Sequence, residues 1–266
     1  MTDADTVLTA FLQVRDGRSP EYVLCDDDLN EAFLSLCRTA DSSAGPDEER
    51  WNMGLLNLRK AALLTDYPTT VRKCPSPASR GYSTCIAQVV RLMERQFGAN
   101  VDRIICNRTR RCQFDALVRF LLPQANTFDS RYRALTLRKT RQLRPEPVGQ
   151  IIAPVASAML ALSSLEEHLG EIPDTSGVYI FFDACSTLYV GKADNLKQRI
   201  RDHVGTWTYR DLASAVNAGK RGPVWLTFIA LPLSCTAREL AAYELELIHS
   251  RQPEHNRAGL APRNRE

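Results

Sequence analysis

Gly177-Val178-Tyr179-Ile180-Phe181-Phe182, followed after a turn-prone Asp183-Ala184-Cys185-Ser186-Thr187 by Leu188-Tyr189-Val190-Gly191, decides the fold of the C-terminal part of this chain. Both runs are rich in β-branched and aromatic residues, and the residues between them favour turns, so the stretch predicts a β-hairpin with a loop of about five residues. Alternation places Val178, Ile180 and Phe182 on one face and Tyr179 on the other, and in the return strand Leu188 and Val190 alternate with Tyr189. The two tyrosines therefore fall outside the apolar phase.

Working outward, Leu196, Ile200 and Val204 recur at helical spacing behind a capping Asp194 or Asn195, which predicts an amphipathic helix lying on the sheet. Arg199 and His203 are four residues apart on a neighbouring face, where both reach one ligand. Residues 224–231 predict a third strand, and Lys220-Arg221-Gly222-Pro223 before it is a basic turn suited to a phosphate backbone. Thr236 and Glu239 form a capping box that opens a last helix. On its wheel the apolar arc contains Tyr243, Leu247, Leu240, Ile248, Ala241 and Leu245, with Glu244 in the middle. A carboxylate on a buried face needs a cation or a metal, and a salt bridge is the simpler of the two on the helix alone.

These residues together resemble the GIY-YIG nuclease family. Gly177-Val178-Tyr179 stands for the first signature triplet and Tyr189-Val190-Gly191 for the second, each with Val in place of Ile. The order and spacing agree as well: ten residues from Tyr179 to Tyr189, ten on to Arg199, four to His203, and twelve from Glu244 to Asn256. The resemblance covers roughly the last third of the chain. It implies an α+β fold with a central three-stranded antiparallel sheet flanked by helices, and a DNA endonuclease active site.

The implied chemistry follows from what a phosphodiester cut requires: an activated water, neutralised phosphate charge and a stabilised leaving oxygen. One plausible metal carboxylate, Glu244, argues for a single divalent ion, Mg²⁺ with Mn²⁺ as a substitute, completed by water and phosphate oxygens. Arg199 clamps a non-bridging phosphate oxygen. Tyr179, its phenol acidified by the metal and nearby cations, takes the proton of the attacking water, while Tyr189 and His203 orient that water or share the proton. Many relatives carry Tyr where this chain has His203. Lys192 touches the phosphate, and Asn256 ties the C-terminal loop to the hairpin.

The 266-residue chain suits two domains: a mainly helical one over residues 1–148, and the nuclease module over 149–266, led by a helix spanning 150–170. Helical spacing is clearest at 29–38, 51–64, 86–97 and 114–122. The net charge is only +3, but between Asp102 and Arg144 eleven basic residues stand against three acidic ones, a local +8. Arg108, Arg110, Arg111, Arg138, Lys139 and Arg141 in this segment are candidate DNA contacts, the bland alternative being a solvated basic face. Eight cysteines show no Cys-x-x-Cys pair, and Cys74, Cys85, Cys106 and Cys112 are too irregularly spaced for a structural Zn²⁺ site, so reduced thiols are expected. The N-terminus lacks a secretory pattern and the apolar run at 151–162 is too short to span a bilayer, so a cytoplasmic protein without membrane contact is expected.

The expectation drawn from these features is a sequence-specific, restriction-type enzyme on double-stranded DNA, cutting both strands as a homodimer or in two visits. A repair or recombination nickase acting on damaged or branched DNA is the first alternative. A non-catalytic DNA-binding protein that retains the fold is the second, and the intact set of Tyr179, Tyr189, Arg199 and Glu244 argues against it.

Overall fold

The computed structural model describes residues 3–41, 48–71, 82–140, 142–143, 149, 152, 154–204 and 222–256. The chain divides into two compact units, Met1–Leu143 and Arg144–Glu266.

The first unit is helical: α1 (Asp3–Val14), α2 (Pro20–Cys25), α3 (Asp27–Ala40), α4 (Glu48–Lys60), α5 (Ser83–Phe97), α6 (Val101–Cys106), α7 (Arg108–Leu121) and α8 (Thr127–Lys139). Short polar side chains start most of these helices. Ser19, Asp26, Asn100, Asn107 and Asn126 each accept a backbone N–H of the following turn. The helices α1, α2, α6 and α8 were not legible in the apolar spacing. In α8, Arg131 and Ser130 lie on the buried side with Phe128, Ala134 and Leu135, so its apolar stripe is broken by polar residues.

The second unit is built on a four-stranded antiparallel sheet of order β1-β4-β2-β3, with β1 (Ala156–Ala161), β2 (Gly177–Phe182), β3 (Thr187–Ala193) and β4 (Trp225–Ala230). The expected three strands are present, and β1 is a fourth where a leading helix was expected. Ala, Met and Leu favour a helix locally, but Ala156 to Ala161 pair in register with Ala230 to Trp225, and this long-range ladder overrides the propensity. Two single-turn 3₁₀ helices, Leu162–Ser164 and Leu169–Glu171, follow it.

Both faces of the sheet are covered, which is why every residue of β2 is buried. One face packs Tyr179, Phe181, Leu226 and Phe228 against Leu196 and Ile200 of α9 (Leu196–Val204). The other packs Val178, Ile180, Val190 and Ile229 against Leu240, Tyr243 and Leu247 of α10 (Ala237–Arg251). The register passes from Phe181 opposite Tyr189 to Phe182 opposite Thr187, which leaves Leu188 as an extra residue in β3. That bulge turns Leu188 onto the α9 face, so it does not share a side with Val190. On α10 the capping box of Thr236 and Glu239 is formed, while Leu245, assigned to the buried arc by the wheel, is 48% exposed.

The basic segment is largely engaged within the helical unit. Arg111, expected to contact DNA, is buried and donates to the Ile105 carbonyl. Arg138 pairs with Asp102, Lys139 with Glu21, Arg110 with Glu49 and Arg108 with Glu48. The local surplus of positive charge seen in sequence is thus partly answered by acids from elsewhere in the chain, Glu21, Glu48 and Glu49, while Arg138 takes Asp102 from the segment itself. Of the named candidates, Arg108 keeps the most open side chain, 68% exposed, whereas Arg141, Lys220 and Arg221 lie outside the described residues.

Candidate active site

The site grows from β2, β3 and α9. Tyr179 stands directly opposite Gly191, and the bare glycine leaves room for the phenol: a Cβ at Gly191 would meet the ring carbon and hydroxyl oxygen of Tyr179. The ring leans over that gap towards Tyr189, its diagonal neighbour, with centroids 6.0 Å apart. The other signature glycine, Gly177, is equally constrained, since a Cβ there would run into the Ile229 carbonyl and the Leu196 side chain. Gly191→Ala is accordingly expected to displace the Tyr179 hydroxyl, abolish activity and cost about 1–3 kcal/mol of stability. Parallel activity and thermal-melting measurements check it.

From α9, His203 closes over the tyrosines. Its Nε2 lies 2.6 Å from the Tyr179 hydroxyl, and its ring sits 5.3 Å from Tyr179 and 5.8 Å from Tyr189. Phe181 completes this aromatic cage, 6.1 Å from His203 at 70°. Phe181 drew no attention as a sequence position because it reads as an ordinary core residue of the strand. Arg199, one turn before His203 and exposed, sets its guanidinium beside the Tyr179 hydroxyl.

The electrostatics differ from those the resemblance suggested. Burial raises the Tyr179 pKa above its usual value and neighbouring Tyr189 adds to the rise, outweighing the opposing pull of Arg199. Tyr179 is therefore a neutral phenol at physiological pH and not a standing phenolate. Burial lowers the His203 pKa, and the Arg199 charge lowers it further, against a smaller opposite effect of Asp202. Neutral His203 thus faces neutral Tyr179, a pairing in which the phenol donates to Nε2 when the imidazole proton is on Nδ1.

Lys192 and Glu244 lie on the α10 side of the sheet. Lys192 pairs with Val178 in the ladder, next to Gly191, and its Nζ is 3.9 Å from Glu244 Oε2. The phenol and the carboxylate therefore approach the same end of β3 from opposite faces. Glu244 is half-buried, and its cation is a lysine at a distance longer than a hydrogen bond, which leaves its oxygens able to ligate. Among the described residues no cluster of three His, Cys, Asp or Glu side chains could hold a metal.

Asn256 binds the backbone of β3 in both directions, accepting from Val190 N at 2.8 Å and donating to Val190 O at 2.7 Å. With Glu254 N on Thr187 O and His255 N on Leu188 O, the C-terminal segment covers the outer edge of the hairpin. Cys85 and Cys106 are buried and Cys112 is exposed, while Cys74 lies outside the described residues.

A hairpin carrying two facing tyrosines, with an Arg/His helix on one side and a Glu helix on the other, defines a domain of the GIY-YIG nuclease class. Residues 175–257 match the family model described as the UvrC-like GIY-YIG domain, which makes this part of the chain similar to the GIY-YIG nucleases. UvrABC system protein C of Trichlorobacter lovleyi is 33% identical over 93 residues, 35% of this chain and 14% of that protein. Its counterpart from Symbiobacterium thermophilum is 37% identical over the same shares. That of Helicobacter hepaticus is 55% identical over 38 residues, 14% of this chain and 6% of the relative. The chain thus spans a small part of the length of these relatives, and no solved structure matches it. Among the described residues no helix is long and apolar enough to cross a membrane.

Proposed function

We propose that this chain is a divalent-metal-dependent DNA endonuclease that nicks damaged or branched duplexes, a repair-type rather than a restriction-type enzyme. The observation that carries the nuclease reading is the 2.6 Å contact between Tyr179 and His203 inside a cage of Tyr189, Phe181 and Arg199. Two further points favour repair. The relatives are UvrC proteins, and much of the basic segment is paired internally instead of being free to read bases.

In this reading the water attacking phosphorus gives its proton to the Tyr179 oxygen as the phenolic proton passes to His203 Nε2. The phenol stays neutral throughout, which suits a group whose ionisation is disfavoured by burial. Tyr189 and Phe181 hold the imidazole in place, and Arg199 binds a non-bridging phosphate oxygen with its forked donors. Lys192 meets the phosphate from the other end of the site, and Asn256 keeps the hairpin in shape. Mg²⁺ or Mn²⁺ on Glu244, with water and phosphate oxygens completing its shell, would stabilise the charge on the leaving oxygen.

The test is a supercoiled plasmid, undamaged or ultraviolet-irradiated, with Mg²⁺ or with EDTA. One catalytic site cuts one strand, so open circles are expected with Mg²⁺, faster from the irradiated plasmid, and none with EDTA. No nicking with Mg²⁺ or Mn²⁺ would overturn the nuclease assignment, and discrete linear fragments from undamaged plasmid would restore the restriction-type one.

The relay also fixes a pH dependence. A His whose folded pKa is depressed stays neutral down to below its ordinary value of about 6.5, so activity is retained through neutrality and lost as pH falls through that lowered pKa. The acid limb of the kcat/KM profile should lie below pH about 6.5, and His203→Tyr should remove it. An unchanged limb in that variant would take His203 out of the relay.

A further inference from the structure

The helical unit contains a concave site that the nuclease chemistry does not use. A cavity of about 390 Å³ opens between the α1–α2 turn, the end of α4, residues 64–71 and α8, within the roughly 300–1,000 Å³ usual for ligand clefts. On its floor Glu21 is 3% exposed, and its Oε1 receives both Lys139 Nζ at 2.6 Å and Arg59 Nη1 at 3.0 Å. Two cations share one carboxylate oxygen, and both remain partly exposed to the cavity. Arg18 supplies a third cation at the rim, held by Asp16 at 2.8 Å.

The walls are aromatic. Tyr22 is fixed against Phe128 with centroids 4.7 Å apart, and Phe128 stacks on Tyr132 at 5.7 Å and 10°. The Arg18 guanidinium lies over the Tyr22 ring at 5.4 Å. Tyr67 forms another wall, 42% exposed yet on a pinned backbone. Buried Arg15 donates to the Tyr67 and Pro68 carbonyls at 2.8 and 2.6 Å, and the Gly17 carbonyl accepts from Thr70 N and Val71 N. Gly17 has φ 72, and a Cβ there would strike Thr70, so the turn needs glycine to hold this segment in place. The chain spends a buried arginine and a left-handed turn on presenting an exposed tyrosine opposite a cationic floor.

Planar walls with surplus positive charge suit a ligand that is aromatic at one end and anionic at the other. We infer that this cavity binds a phosphorylated nucleoside, its base against Tyr67 and the Tyr22–Tyr132 wall and its phosphate on Arg18, Arg59 and Lys139. The nucleoside is either an unpaired residue of a DNA strand or a free nucleotide.

The full chain in EDTA, where no cleavage enters, is titrated with a fluorescein-labelled oligothymidylate of about 12 nucleotides by anisotropy and with dTMP by calorimetry. Tyr67→Ala should weaken binding by about tenfold and Tyr67→Phe should retain it. Arg18→Gln should weaken it and flatten its salt dependence. Melting temperatures of the variants show that they fold. Binding of the oligonucleotide alone identifies a strand site, and binding of dTMP as well identifies a site for the free nucleotide. If neither binds, or if folded Tyr67→Ala and Arg18→Gln bind as the parent does, the inference is overturned. Plasmid nicking is read separately, so failure of either proposal leaves the other standing.

Discussion

Arg199→Ala is expected to nick plasmid DNA about 10²–10³-fold more slowly than the parent protein while binding DNA with little loss, the cost typical of removing one preorganised group from a charge-stabilising site. The side chain is exposed on α9, so its removal leaves no cavity, and its head lies beside the Tyr179 hydroxyl that is hydrogen-bonded to His203. Arg199→Lys should recover only part of the rate, because an ammonium lacks the forked donors that hold a phosphate in one orientation. The substitution has a second signature. Since the Arg199 charge helps to depress the His203 pKa, its loss should raise that pKa and shift the acid limb of the residual activity to higher pH. Glu244→Gln, which removes the charge at nearly constant volume, is expected to be at least as damaging. Either variant cleaving at the parental rate would refute the assignment.

What the sequence could and could not convey follows from the range of the interactions. The hairpin, the α9 stripe and the capping box of α10 are local patterns, and Tyr179, Arg199 and His203 do converge as their spacing suggested. Strand β1 was missed because its composition is helical and its only reason to be extended is a partner about seventy residues away. Leu188 was misplaced because a bulge changes the alternation without leaving a compositional mark. The effect of burial on Tyr179 was hidden for a related reason: the metal and cations were weighed, but the burial of β2 on both faces, which raises the Tyr179 pKa, was not visible in an alternating pattern. The basic segment shows the same limit, for charge counted along the chain says nothing about the distant acids Glu21, Asp27, Glu48 and Glu49 that meet it in space.

Arg131, a buried member of the same segment, makes its internal engagement testable. Its side chain is 5% exposed and joins four helices: Nε and Nη2 donate to Asp115 at 3.0 and 2.5 Å, and Nη1 donates to the Cys25 carbonyl at 3.1 Å and to Asp27 at 2.7 Å. Asp27 is largely solvated, but Asp115 is 4% exposed and depends on the guanidinium for its charge compensation. Arg131→Met keeps much of the volume and strands Asp115 as a buried, unpaired carboxylate, a change that costs about 3–5 kcal/mol. For a unit of this size the melting temperature should fall by roughly 10 °C or more. If the loss comes from the orphaned charge, and not from packing, Arg131→Met combined with Asp115→Leu should recover most of it, because a well-packed apolar pair replaces a buried ion pair at little cost. Thermal unfolding of the two single variants and the double variant decides the matter: a single Met variant within about 1 kcal/mol of the parent would show that this ion pair is not what joins the helices.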